Sequence, residues 1–186
     1  LLERFGSVAL TYYVIQVKTR GEEKYLSLAE QALDPYDIKI IWPRRSLRIR
    51  RRGKWLNILS PIFPGYLFLE VETIKPELYW VLKKLPGFFR FLKNNHDIQP
   101  LPRTDARILA SLLSFGEIVD RSLAVFDEGG RIRVLEGPLK GLEGLIMKVD
   151  KRKGRVKVKL DLYDESYHVD FGFSVVEKAE EGKSHI

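Results

Sequence analysis

The chain has 186 residues, of which 45% are hydrophobic and 31% charged, a globular composition and not a disordered one. It holds no cysteine, which excludes disulfides, thiolate metal sites and cysteine nucleophiles and fits a reducing cytoplasm; no apolar run approaches the roughly 18–20 residues of a membrane span. With 32 basic and 25 acidic side chains the formal charge is +7, which points to a polyanionic partner or to an inert basic surface.

Leu1 to Leu10 has no initiator Met and no signal-peptide pattern, and reads as a leader outside the fold. Tyr12 to Val17 is β-rich and predicts a strand. Gly21 opens a helix with Tyr25, Leu28, Ala29, Ala32 and Leu33 at helical spacing, stopped by Asp34-Pro35. Ile38 to Trp42 is a second strand. Ser46 to Arg50 and Trp55 to Leu59 alternate polar with apolar around Arg51-Arg52-Gly53-Lys54, a hairpin with a basic tip. Tyr66 to Val71 is a strand, Pro76 starts a helix with a Leu78, Val81, Leu82, Leu85 stripe, and Phe88 to Leu92 is another strand. Thr104 is the expected N-cap of a helix carrying Ile108, Leu109, Leu112 and Leu113, with Gly116 past its end. The order β-α-β-hairpin-β-α-β-α satisfies a ferredoxin-like α/β sandwich.

Beyond Gly116 the pattern changes. Residues 117–130 read as a connector without periodicity. Five short strands follow, at Arg131–Leu135, Glu143–Val149, Arg155–Leu160, Tyr167–Asp170 and Ser174–Glu177. They predict a small closed β-barrel, because closure removes exposed sheet edges. Glu180 to Ile186 reads as a polar tail. The expected organisation is an α+β domain over residues 11–115, a linker over 116–127 and a barrel over 128–179.

Phe63-Pro64-Gly65-Tyr66-Leu67-Phe68 is the sharpest motif. Pro64-Gly65 is a turn dipeptide between aromatics, ahead of a strand. Alternation places Tyr66 and Phe68 on one face and Leu67 and Leu69 on the other. Both sets are core if the strand is internal; otherwise the aromatic face is a docking patch. Gly137-Pro138-Leu139-Lys140-Gly141-Leu142-Glu143-Gly144 joins two strands. It lacks the Lys-Ser/Thr of a phosphate loop, so Gly137, Gly141 and Gly144 read as turn glycines.

Charge is uneven. Residues 1–115 carry 19 basic and 11 acidic side chains, and residues 116–186 carry 13 and 14. Arg44, Arg45, Arg48, Arg50, Arg51, Arg52 and Lys54 form one cluster without an acid, with Trp42 and Trp55 close by. Lys148, Lys151, Arg152, Lys153, Arg155, Lys157 and Lys159 form a second around Asp150. Each is a solvated face or a nucleic-acid surface; Arg richness suits phosphate and base contacts. His96, His168 and His185 are too far apart in sequence for a short metal-binding spacing. No serine has a nucleophile-elbow context, and Asp161 with Asp164 lies in an expected hairpin. No catalytic residue, metal ligand or cofactor site is expected.

The two halves together resemble the NusG family of transcription elongation factors over about residues 11–179. The resemblance rests on Tyr12-Tyr13-Val14-Ile15, on Phe63-Pro64-Gly65-Tyr66, on Pro86-Gly87-Phe88 and on the KOW-like run Val134 to Gly144. The basic hairpin and the Ser122 and Gly137-Pro138-Leu139 positions look most like specialised antiterminators of the LoaP and RfaH kind. The resemblance implies an amino-terminal (NGN) domain and an SH3-like five-stranded KOW barrel. It implies a non-enzymatic, cytoplasmic, nucleoid-associated factor that docks on the clamp helices of RNA polymerase and suppresses pausing or termination. Val14, Gln16, Phe63, Pro64, Tyr66 and Phe68 would form the docking patch. The Arg-rich hairpin would lie on upstream or non-template DNA. Lys148, Lys151, Arg152, Lys153 and Arg155 would contact nascent RNA, as a hairpin. Tyr163 would meet a partner of the KOW domain, ribosomal protein S10 or Rho. The alternative is a ribosome-associated RNA-binding protein that uses KOW to hold ribosomal RNA.

Overall fold

The structure, a computed structural model, describes residues 11–93 and 95–176. The expected leader, the polar tail and Glu177 lie outside the described residues. The chain runs β1 (Tyr12–Val17), α1 (Glu22–Leu33), β2 (Lys39–Ile41), β3 (Arg44–Arg51), β4 (Lys54–Pro61), β5 (Tyr66–Glu70), α2 (Pro76–Lys84), β6 (Phe88–Phe91) and α3 (Arg103–Leu113). Then come β7 (Ile118–Val119), β8 (Ser122–Phe126), β9 (Ile132–Glu136), β10 (Ile146–Asp150), β11 (Arg155–Leu162) and β12 (Glu165–Val175).

The first sheet has the order β2-β5-β1-β6 with every pairing antiparallel. That is the order and direction of a ferredoxin-like sandwich. One face carries Tyr13, Ile15, Val17, Leu67 and Leu69 under α1 and α2. The helices are amphipathic with charges suited to their dipoles: Glu22 and Glu23 open α1, and Lys83 and Lys84 close α2. The other face carries Tyr12, Val14, Tyr66 and Phe68, and its core is continuous with the leucines of α3 and with the second half of the chain.

The second half is all β. Its sheet has the order β10-β11-β12-β8-β9 and bends into a small five-stranded barrel around Val134, Val156, Val158, Phe171 and Phe173. Three sequence expectations are corrected. Residues 117–130 contain β7 and β8: β7 pairs in parallel with the root of β3, and β8 with the end of β12. Such pairing joins residues about 50 or more apart in the chain, so no local pattern betrays it. Tyr167–Asp170 and Ser174–Glu177 are not separate strands, since β12 runs unbroken through Gly172 and exchanges its partner from β11 to β8. A Cβ at Gly172 would lie 2.8 Å from Arg121 Cγ, so glycine here serves side-chain packing and not a turn. Thr104 is inside α3, which begins after Pro102; its Oγ1 donates to Asp105 Oδ1.

Candidate docking patch and nucleic-acid interface

The Phe63–Phe68 motif is held from three sides. Gly65 has φ +82°, and a Cβ there would lie 3.0 Å from Thr19 Oγ1. Its N–H donates to Glu22 Oε1 at 2.8 Å and its carbonyl accepts from Val17 N at 2.8 Å. Glu22, a buried carboxylate at the start of α1, was invisible to sequence reading, because a first-turn acid is ordinarily exposed. Phe68 pairs with Val14 and Tyr66 with Gln16 across β5 and β1. Val14 and Phe68 are fully buried, Gln16 is half-buried with its Oε1 accepting from Arg90 Nε at 2.9 Å, and Pro64 is exposed.

Phe63 and Tyr66 are covered by the barrel. Tyr167 of β12 meets Phe63 edge-on at 5.3 Å between centroids and Tyr66 at 6.1 Å. Such aromatic pairs add about 0.5–1.5 kcal/mol beyond their buried area. Polar contacts surround them. The Tyr163 N–H donates to Asp105 Oδ2 at 2.9 Å, its hydroxyl donates to the Gln99 carbonyl at 2.7 Å, and Lys93 pairs with Asp164 at 3.3 Å. Burial pushes the Tyr163 phenol above its ordinary value, with Tyr13 and Asp105 adding to it. Burial does the same to Tyr167, helped by hydrogen bonding with Tyr66 and Glu165. Tyr163, expected to face an outside partner, therefore lies against the chain's own amino-terminal half. Asp105, Gln99 and Tyr167 escaped sequence reading because this contact joins segments more than 50 residues apart.

The basic hairpin closes through Arg52 and Gly53, both at positive φ, as a two-residue turn. Arg48, Arg50, Arg51, Arg52 and Lys54 are exposed. Arg44 and Arg45, at the root, are half-buried. The Arg44 guanidinium lies 4.7 Å from the Trp42 ring, and Arg45 Nη1 donates to the Pro61 carbonyl. Burial lowers the pKa of Arg45, opposed by Asp170 and reinforced by Arg155.

In the barrel turn, Lys151, Arg152 and Lys153 are exposed. The Asp150 carboxylate accepts from the Lys153 N–H at 3.0 Å, which holds its pKa below the usual range, with Lys153 and Arg152 charges adding. Lys151 Nζ lies 3.9 Å from the Phe126 ring centroid. Gly154, at φ +59°, allows the turn to pack 2.9 Å from the Phe173 carbonyl at its Cβ position. Arg155 reaches across to the hairpin, its Nη2 donating to the Arg48 carbonyl at 3.0 Å. Lys148 lines a smaller cleft with Asp150, Lys157 and Asp170, which also borders Lys153 and Arg155. In the glycine-rich run, Gly137 and Gly141 have positive φ and Pro138 is buried. Gly144 has neither positive φ nor a close neighbour, and nothing in the structure explains it.

A ferredoxin-like domain with a Pro-Gly-aromatic turn, followed by a small β-barrel with a basic turn, is a mixed α/β architecture of two units. Residues 10–110 match the family described as transcription termination factor nusG, and residues 128–159 match the KOW motif. The chain belongs to the NusG family. It is 26% identical over 181 residues to the transcription termination/antitermination protein NusG of Borreliella burgdorferi, covering 90% of this chain and 97% of that one. The NusG of Escherichia coli K12 is 29% identical over 176 residues, covering 90% and 96%. A solved structure described as a domain interaction in Thermotoga maritima NusG superposes with a TM-score of 0.57 at 21% identity, over 90% of this chain and 96% of that one. The chain is thus a NusG-like transcription termination/antitermination factor.

Proposed function

We propose that this chain is a non-enzymatic, cytoplasmic antitermination factor that docks on RNA polymerase through the β1–β5 aromatic face. The observation that carries this reading is the Phe63–Phe68 face itself. It is an aromatic surface whose turn is held by a buried Glu22–Gly65 hydrogen bond and whose Phe63 and Tyr66 are met by Tyr167 of the barrel. The clamp helices of polymerase are the proposed occupant of that face once the barrel leaves it. Docking then requires opening, since Tyr167 occupies the space above Phe63 and Tyr66. A bound factor suppresses pausing only by binding the elongating state better than the paused one. The freed barrel would recruit RNA, ribosomal protein S10 or Rho, and upstream or non-template DNA would lie along the hairpin. The subtype, a specialised antiterminator of the LoaP or RfaH kind, is supported by the density of arginine on that hairpin.

The test is polymerase binding by folded variants. Phe63→Ala removes an interface aromatic of the kind worth about 2 kcal/mol, and binding should weaken by about 30-fold. Tyr167→Ala uncovers the patch without altering it, and binding should strengthen. A folded Phe63→Ala chain that binds as the parent does would sink the assignment. Capture from lysate with RNase separates this reading from ribosomal RNA binding: polymerase should survive the treatment, and ribosomal contacts should not.

A further inference from the structure

The two basic clusters, remote in sequence, form one cleft. Its larger part, about 630 Å³, is lined by Arg48, Arg50 and Trp55 of the hairpin and by Arg152, Lys153 and Arg155 of the barrel turn. An adjoining part of about 320 Å³ shares Arg48, Trp55, Arg152 and Lys153 and continues to Arg121 and Lys151. No carboxylate lines either part among the described residues, but Lys153 also pairs with Asp150 at 3.7 Å, and Lys153 and Arg155 border the neighbouring cleft that holds Asp150 and Asp170. Trp55 is 48% exposed, with the Arg48 guanidinium 4.7 Å from its ring. Half of this large aromatic is in water, on a strand next to a basic tip, and its packing partner there is an arginine and not an apolar side chain.

We propose that this cleft is a single binding site for one unpaired nucleic-acid strand, formed only when barrel and hairpin are in contact. The inference deepens the function proposed above and rests on its nucleic-acid part. The chemistry is complementary: the guanidinium and ammonium groups of both domains neutralise consecutive phosphates, while Trp55 offers a face on which one unstacked base stacks, a contact worth about 1–3 kcal/mol. Arg155 and Arg121 act as positioning residues. Each spends an Nη2 on a backbone carbonyl, Arg155 on Arg48 and Arg121 on Phe173. The first of these bonds ties the turn to the hairpin. The same interdomain contact that builds the cleft places Tyr167 over Phe63 and Tyr66. A strand in the cleft therefore holds the barrel on the aromatic patch, and cleft occupancy and patch docking oppose each other by linkage.

The experiment titrates the full chain into fluorescently labelled strands of about 12 nucleotides, within the usual range for such sites. One arm is RNA, one is DNA of the same sequence, and one is the RNA duplex. The expected result is binding to unpaired RNA, unpaired DNA or both in preference to duplex; the two single-strand arms decide the source. Trp55→Ala should weaken it about tenfold, with Trp55→Phe restoring most of the loss. Arg152→Ala with Lys153→Ala should weaken it and flatten the salt dependence by about 0.7 per lost phosphate contact. The decisive variants are Tyr167→Ala and Asp105→Ala, which sit outside the cleft and loosen the interdomain contact. Each should weaken strand binding several-fold while circular dichroism stays that of the parent. Unchanged affinity in both folded variants overturns the composite site, as does unchanged affinity for Trp55→Ala, a preference for duplex, or no binding at low salt. Polymerase binding is measured apart from this, so failure of the docking patch leaves these outcomes readable.

Discussion

Gly137 shows how one residue can carry a turn. Its φ is +104°, and a Cβ built on it would lie 2.8 Å from Ser122 Cα and 2.9 Å from Ser122 Oγ. Ser122 is fully buried and its Oγ accepts from the Leu139 N–H at 3.0 Å, so the serine cannot move aside without leaving that donor unpaired. Gly137→Ala should therefore destabilise the chain by about 2–4 kcal/mol, combining backbone strain with overpacking. Urea unfolding checks this, and Gly144→Ala, with open space at its Cβ position, is the internal control with little change expected. The tyrosines of the interdomain contact make a second prediction. The Tyr163 and Tyr167 phenols have folded pKa values above the ordinary 10.0. A raised folded pKa stabilises the contact fully below pH 10 and loses that contribution as pH rises through the folded values. A near-ultraviolet titration should show these two ionising late, together with the buried phenols of Tyr12 and Tyr25, and Tyr163→Phe with Tyr167→Phe should shrink the late phase without removing it.

At the scale of the element, the β3–β4 hairpin is a compromise between folding and charge. Its turn needs positive φ at two positions, which glycine meets and arginine meets at a cost. Arg52, at φ +50°, is the wrong residue for the turn and a suitable one for an anion. Arg52→Gly should stabilise the chain by about 0.5–1 kcal/mol and weaken nucleic-acid binding, measured by thermal unfolding and by strand titration. The barrel is a different case. Ile132, Val134, Ile146, Val149, Val156 and Val158 are β-branched, and Gly137, Gly141 and Gly154 interrupt any helix. Residues 122–175 should stay β after the domains are parted by Tyr167→Ala. Backbone chemical shifts test this, and a helical signature there would refute it.

At the scale of the whole molecule, the two halves share one core across the sheet face that α1 and α2 leave uncovered. Aromatic packing of Tyr167 on Phe63 and Tyr66 is one part of the contact, beside the Tyr163 bonds to Asp105 and Gln99 and the Arg155 bond to Arg48. Surrounding ion pairs add little: Lys93–Asp164 is largely exposed, and such pairs are worth about 0–1 kcal/mol. Tyr167→Ala should enlarge the radius of gyration in solution scattering, and an unchanged radius would place the holding energy elsewhere.

The elements were largely legible because their causes are local. The Tyr66 and Phe68 alternation, the Pro76 helix start and the Arg52-Gly53 turn each depend on neighbouring residues, and strand and helix periods express them directly. The Phe-Pro-Gly-Tyr and KOW glycine patterns identified the family for the same reason. Tertiary structure alone decided the rest. The chain does not announce that β7 and β8 join distant sheets, that Glu22 holds Gly65, or that Tyr163 turns inward. Nor does it announce that hairpin and barrel turn share a cleft. Each of these pairs residues more than 40 positions apart, and long-range pairing is settled by burial and hydrogen-bond satisfaction over the whole fold, which no local window of sequence contains.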